Sequence, residues 1–227
     1  MAWAREGGPS GAVVVADYQA SPRGRGGLPW TVQLGRGLGF TLIHRDERLV
    51  LEREGWPYVA ALLALHEVVG PPGSGLAWPD AVCAADGTTL ARLGVYAELG
   101  SGRIDWFTIT VLVEEADPPR APLLARLADA VERRLAEPAD DVLAAYRPHC
   151  TTLGRAWRAR LLPLGPGGPE VNGEAVDVLA DGALVLLTPR GHRVAVPPQN
   201  LGLLDEPAGP VEPPERLLGA PDPPPDR

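Results

Sequence analysis

The segment with the clearest capacity for chemistry is Arg23-Gly24-Arg25-Gly26-Gly27, which follows closely on an apolar run and ends near Trp30. Guanidinium groups form planar, bidentate hydrogen bonds with phosphate or carboxylate. Flexible glycine N–H groups can add an anion-holding nest. Trp30 could stack on a base or close a pocket. On the local pattern alone, a solvated basic loop remains an equal alternative. Other candidates carry less. His66 falls on a helix face and reads as a core or rim residue, and His44, His149 and His192 have no ligand spacing. Cys83 sits in a strand and reads as a small buried hydrophobe. Cys150 lies at a junction with no base nearby to activate it. Asp17, near a strand end, reads as solvent-facing.

Composition narrows the chemistry further. The 227 residues carry 29 acids against 21 bases, a net charge of −8, which argues against a nucleic-acid-binding surface. Every base is arginine, so a mechanism that needs a lysine ammonium or amine is excluded, apart from the chain's own N-terminus. Two cysteines make neither a disulfide framework nor a metal cluster, and a reducing cytoplasm is the default setting. No apolar run reaches the ~18 residues of a membrane span, and the first residues do not read as a signal peptide.

The elements that must position the arginines follow from periodicity and punctuation. Residues 12–18 read as a buried strand, 19–30 as a long loop and 38–45 as a second strand. Residues 56–69 read as a helix stopped by Gly70-Pro71-Pro72. Residues 76–84, 88–99 and 103–115 read as strands of an antiparallel meander, turning at Asp86-Gly87 and Gly100-Ser101-Gly102. A helix with Pro122 in its first turn and a Leu123, Leu127, Val131, Leu135 stripe runs to Pro138, and a second covers 139–149. Short strands follow from Arg155, with hairpin turns expected at Asn172-Gly173, Asp181-Gly182 and Arg190-Gly191. The expected fold is α+β: a mixed or antiparallel sheet with flanking helices (residues 11–149), then a small SH3-like β-barrel (150–205). The proline-rich residues 206–227 read as a disordered tail.

The run VVVADYQASPRGRGGLPW resembles the signature of biotin protein ligases, with Gln19, Arg23, Gly24, Arg25, Gly27 and Trp30 at matching spacing. Residues 78–82 (WPDAV), 90–99 (LARLGVYAEL) and 146–159 (YRPHCTTLGRAWRA) resemble later pieces of that family in the same order. The resemblance spans about residues 11–205. It implies that ATP and biotin form biotinoyl-adenylate, whose acyl group then passes to a lysine of a biotin carboxyl carrier protein, with Mg²⁺ accompanying ATP. It gives Arg25 and Arg23 the catalytic role of neutralising carboxylate and phosphoryl charge. It places Gln19, Gly24, Gly27, Trp30, Trp78 and Gly94 at the ligand, and it is compatible with a homodimer. The loop would order over the intermediate and exclude water.

Four departures stand beside the resemblance. The family's lysine, three residues before the Gly94 position, is Ala91 here. Arg92 is one position later, and strand alternation is expected to turn it from the pocket unless a bulge re-aims it. The family's Trp-Pro-Asn-Asp is Trp78-Pro79-Asp80-Ala81. Its Asn-containing loop is replaced by residues 111–119, VLVEEADPP. Its Ser/Thr-Ser/Thr-Asn segment, which holds the ureido ring, is expected upstream of the first strand and is not among the residues before Ala12. Residues 1–10 do not read as a winged helix, so an operator-binding role is not expected. The ligase these departures imply would be impaired, and a non-catalytic protein binding a nucleotide, an acyl-adenylate or a carrier protein is the alternative. A plain interaction module built on the C-terminal barrel is a third reading.

Overall fold

The computed structural model describes residues 2–16, 22–31, 35–45, 50–117, 119–162 and 168–206. Asp17, Gln19 and the tail from residue 207 lie outside them. A six-stranded sheet runs in the order β1-β2-β6-β5-β4-β3, formed by Ala12–Val15, Leu38–His44, Ile104–Val113, Thr89–Leu99, Ala81–Cys83 and Gly75–Ala77. Every neighbouring pair is antiparallel. The expected meander is present as β4-β5-β6. The expected strand over 76–84 is instead two short strands, because Trp78-Pro79-Asp80 makes the turn between β3 and β4, with a cis bond before Pro79. Strand β1 is the sheet edge, and Val14 and Val15 are exposed there, not buried as the apolar run suggested.

Helix α2 (Trp56–Val69) starts with Pro57 in its first turn and ends at Gly70. All of Trp56–Leu65 is buried, so α2 is a core helix, apolar on every side. It packs on β5 and against α3 (Arg120–Ala136) and α4 (Ala139–Tyr146). The expected second helix ends earlier than 149, as Pro148 tightens its last residues into a 3₁₀ turn. The helix-side face of the sheet supplies Phe40, Leu42, Ala91, Leu93, Phe107, Ile109 and Val111 to one core. On the opposite face a smaller cluster joins Ile43 and Trp106 to Ala4 of the short N-terminal helix α1 (Ala2–Arg5).

A second antiparallel sheet, in the order β10-β9-β8-β7-β11, follows: Ala156–Leu161 (β7), Glu170–Val178 (β8), Leu184–Leu187 (β9), Arg193–Val196 (β10) and Leu201–Asp205 (β11). Asp181-Gly182 and Arg190-Gly191 turn as expected, both glycines having positive φ. Asn172-Gly173 does not. It lies inside β8, paired with Arg158 and Trp157 of β7. A Cβ at Gly173 would come 2.6 Å from the Leu187 carbonyl oxygen, so the glycine serves a close approach to β9. The two sheets share one continuous core, and Trp78 Nε1 donates to Gly182 O at 3.0 Å across their junction.

Candidate functional site

The glycine-rich segment folds as a compact loop. Arg23 and Pro29 form a bridge, Gly24 N donates to Leu28 O at 2.8 Å, and Arg25–Gly27 make a 3₁₀ turn. Gly26 and Gly27 have φ of 60° and 74°, the left-handed region that glycine occupies readily. The loop rests on β5: a Cβ at Gly94 would lie 3.0 Å from Arg25 N and from the Gly24 carbonyl carbon. Its other side is closed by Trp30, whose indole Nε1 lies 2.1 Å from where a Gly24 Cβ would stand. Gly24, Gly94 and Trp30 therefore meet at one close contact. Gly27 lies at its rim, where its carbonyl accepts a 2.9 Å bond from Arg23 Nη1.

The two arginines occupy different environments. Arg23 is exposed. Arg25 is only 7% exposed: its Nε bonds Asp80 Oδ2 at 3.0 Å and its Nη1 donates to the Leu201 carbonyl of β11. Arg25 is thus a buried tie between loop, first sheet and second sheet, not a charge held out on an exposed loop. Burial pushes the Asp80 carboxyl above its ordinary value, and the nearby Arg25 and Arg92 charges work against that shift. Trp78 is 3% exposed, and its backbone N–H is bound by Thr152 Oγ1 at 2.9 Å, so it sits in the junction core behind the loop.

Beside the loop opens a cleft of about 830 Å³, in the size range of small-molecule sites. Pro29, Trp30 and Thr31 form one wall. Thr88–Leu90 and Arg92 of β5, with Val113–Glu115, form another, and Val68, Val69 and Leu123 close the apolar base. Arg92 Nε lies 3.0 Å from Glu114 Oε1, and its Nη2 bonds Thr89 Oγ1 at 3.2 Å. Alternation does set Arg92 opposite Ala91. It is Ala91 that enters the core, at 0% exposure, and Arg92 that shares the loop-covered face with Gly94. The expectation that Arg92 turns from the pocket is corrected accordingly. On that face, Val14, Thr41, Thr110 and Gly94 stand side by side across four strands, and the two threonine hydroxyls are 3.0 Å apart.

The remaining candidates lie elsewhere. His66 sits at the end of α2, with Nε2 3.1 Å from Ser74 Oγ and its ring 4.7 Å from that of His149; burial holds its pKa below the ordinary value. Cys150 is buried, and burial pushes its thiol up, away from a reactive thiolate. Among the described residues, no three His, Cys, Asp or Glu side chains come together as metal ligands, and no helix is long and apolar enough to cross a membrane.

No family model matches the chain. The biotin–[acetyl-CoA-carboxylase] ligase of Mycobacterium tuberculosis (strain ATCC 25618 / H37Rv) is 30% identical over 202 residues, covering 78% of this chain and 73% of that protein. Among solved structures, the biotin protein ligase from Aquifex aeolicus in complex with biotin and ATP superposes with a TM-score of 0.63 at 20% identity, over 87% of this chain and 90% of that one. The biotin acetyl coenzyme A carboxylase synthetase from Helicobacter pylori, with bound biotinylated ATP, gives 0.54 at 15% identity, over 81% and 86%. At those identities the superpositions establish a shared fold.

Proposed function

This chain belongs to the biotin protein ligase family, and from that premise we propose that it joins biotin to a carrier protein at the expense of ATP. Biotin's carboxylate attacks the α-phosphorus of ATP, releasing pyrophosphate and leaving biotinoyl-adenylate. A carrier lysine amine then attacks the acyl carbon, forming an amide and releasing AMP. The observation that carries this reading is the stacked contact of Gly24, Gly94 and Trp30 beside the 830 Å³ cleft. Two glycine positions without room for a side chain, Gly24 and Gly94, let a backbone-lined loop lie flat on the sheet, where its N–H groups can meet an anion.

The residues present fit a nucleoside phosphate. Trp30 offers an aromatic face to the base, Thr31 and Thr89 offer hydroxyls, and Arg23 stands exposed at the loop rim. The Thr41–Thr110 hydroxyls and Val14 give biotin's part-polar body a matching face. Mg²⁺ would arrive on the ATP phosphates, with no protein ligand set of its own assigned here. The loop would exclude water from the adenylate, which otherwise hydrolyses. The second sheet takes the role of the family's SH3-like barrel, residues 150–205 beside a catalytic unit of 11–149. Its Leu201 carbonyl anchors the loop through Arg25.

One observation favours a second reading, a protein that binds the adenylate or a carrier protein without efficient transfer. Arg25 is committed to Asp80 and Leu201, and Ala91 offers no charge. One experiment separates the readings. The purified chain is mixed with ATP, biotin and an isolated biotin carboxyl carrier domain; pyrophosphate release and the carrier's mass are followed. A biotinylated carrier establishes the ligase. ATP binding by calorimetry without either product establishes the non-catalytic binder. A chain that binds neither ATP, nor biotin, nor the carrier domain removes both.

A further inference from the structure

We infer that Arg92 supplies the phosphate-contacting cation of this site, held in place by Glu114 and Thr89. The inference rests on the ligase reading above and deepens it by assigning a residue that the motif spacing passes over.

Charge placement carries the argument. An adenylate-forming cleft must neutralise phosphate oxygens in a partly dry space, where a fixed cation is worth far more than in water. The chain has no lysine, so that cation must be an arginine. Arg25 is set aside by its burial: it is only 7% exposed, tied to Asp80 and the Leu201 carbonyl, and it does not line the cleft. Among the described residues lining the cleft, Arg92 is the one base, against Glu114 and Glu115. Glu115 already has Arg36 at 2.5 Å, so its charge is balanced from outside the cleft.

Geometry adds the second part. A guanidinium has five N–H donors in a rigid fork. The bonds to Glu114 and Thr89 use Nε and one Nη2 hydrogen, which pins the plane of the group while its side chain stays 44% exposed. The remaining edge can take a phosphate bidentately. Arg92 is two residues from Gly94 on the same strand face, and it lines the cleft together with Trp30, the residue that packs on Gly24 of the loop. A base against Trp30 and phosphates at Arg92 would place one nucleotide in that cleft.

The test is calorimetric titration of the wild type and of Arg92→Gln with ATP and, separately, with adenosine. Arg92→Gln should weaken ATP binding about 10- to 100-fold, the cost of one lost charged hydrogen-bonding partner. Adenosine, which has no phosphate, should bind both proteins equally, and Arg92→Lys should recover part of the ATP affinity. Equal ATP affinity in wild type and Arg92→Gln overturns the inference and leaves the ligase reading standing. An equal loss for ATP and adenosine also overturns it, since Arg92 would then merely shape the cleft. A wild type that binds neither ligand removes the ligase reading itself.

Discussion

Arg25 Nε stands 3.0 Å from Asp80 Oδ2, and the same guanidinium reaches the Leu201 carbonyl, so one side chain joins the glycine-rich loop to both sheets. As a residue of a glycine-rich loop, Arg25 reads from sequence as a ligand-binding side chain, and such a loop residue is expected to bear little fold stability. The structure reverses the second half. Arg25→Ala would leave a part-buried carboxylate and a buried carbonyl without their donor. Breaking a buried pair is expensive, and Asp80 keeps 29% of its side-chain surface in contact with solvent, so on the order of 2–4 kcal/mol is expected. Urea unfolding of the wild type and Arg25→Ala measures it. A loss below about 0.5 kcal/mol, the usual range for exposed sites, would show that the tie contributes little.

A second network, between α2 and α3, makes stability depend on pH. Arg133 Nη2 lies 3.1 Å from Glu67 Oε2, and Arg134 contacts Glu67 and Glu137. Burial pushes the Glu67 carboxyl up, but hydrogen bonds from Arg134 and Arg133 outweigh it and hold the pKa below its ordinary 4.5. A carboxyl depressed by folding binds its proton more readily when unfolded. Its contribution is therefore complete above pH 4.5 and lost as the pH falls below that value. Glu67→Gln should lower the melting temperature at neutral pH. The gap should narrow as the pH falls below 4.5. A gap that stays constant with pH would assign the effect to packing.

Much of the fold was legible because its signals are local. Pro57 and Gly70 bound α2, and Asp86-Gly87 and Arg190-Gly191 make the turns they promise. Three features escaped for one physical reason: their meaning depends on distant chain. Asn172-Gly173 has turn chemistry, but its glycine answers to the Leu187 carbonyl. Arg25 looks like a ligand arm until Asp80 and Leu201, 55 and 176 residues away, are brought against it. Alternation separates Ala91 from Arg92 correctly, yet which face is core is decided by where α2 and α3 lie. The glycines that accept the loop were legible as a motif, and their partner Gly94 emerged at the expected strand. Gln19, also expected at the ligand, lies outside the described residues.

Trp78, placed by motif at the ligand, makes contacts that tie the two sheets together. Its indole N–H bonds Gly182 O and its ring is 3% exposed at the junction of the sheets. Trp78→Phe keeps most of the apolar area and removes the donor, leaving the Gly182 carbonyl unpaired. A loss of about 1–2 kcal/mol is expected. ATP affinity measured by calorimetry should not change. A selective loss of affinity with intact stability would return Trp78 to the ligand.

Gly94 tests whether the loop's seat on β5 matters. A methyl there would stand 3.0 Å from Arg25 N and from the Gly24 carbonyl carbon, both backbone atoms of the loop. The loop must give by a few tenths of an ångström, which weakens the seat that holds Arg25 against Asp80. Trypsin reports this directly, since it cuts after arginine and Arg25 is sealed while Arg23 is exposed. In the wild type, mass spectrometry should find early cleavage after Arg23 and very little after Arg25. Gly94→Ala should raise cleavage after Arg25 by roughly tenfold, because a locally opened segment is cut in proportion to its open population. Circular dichroism should remain that of the folded sheet, since β5 itself is unaltered in register. ATP affinity should fall along with the protection of Arg25. If protection at Arg25 survives the methyl group, the loop is held by something other than its contact with Gly94.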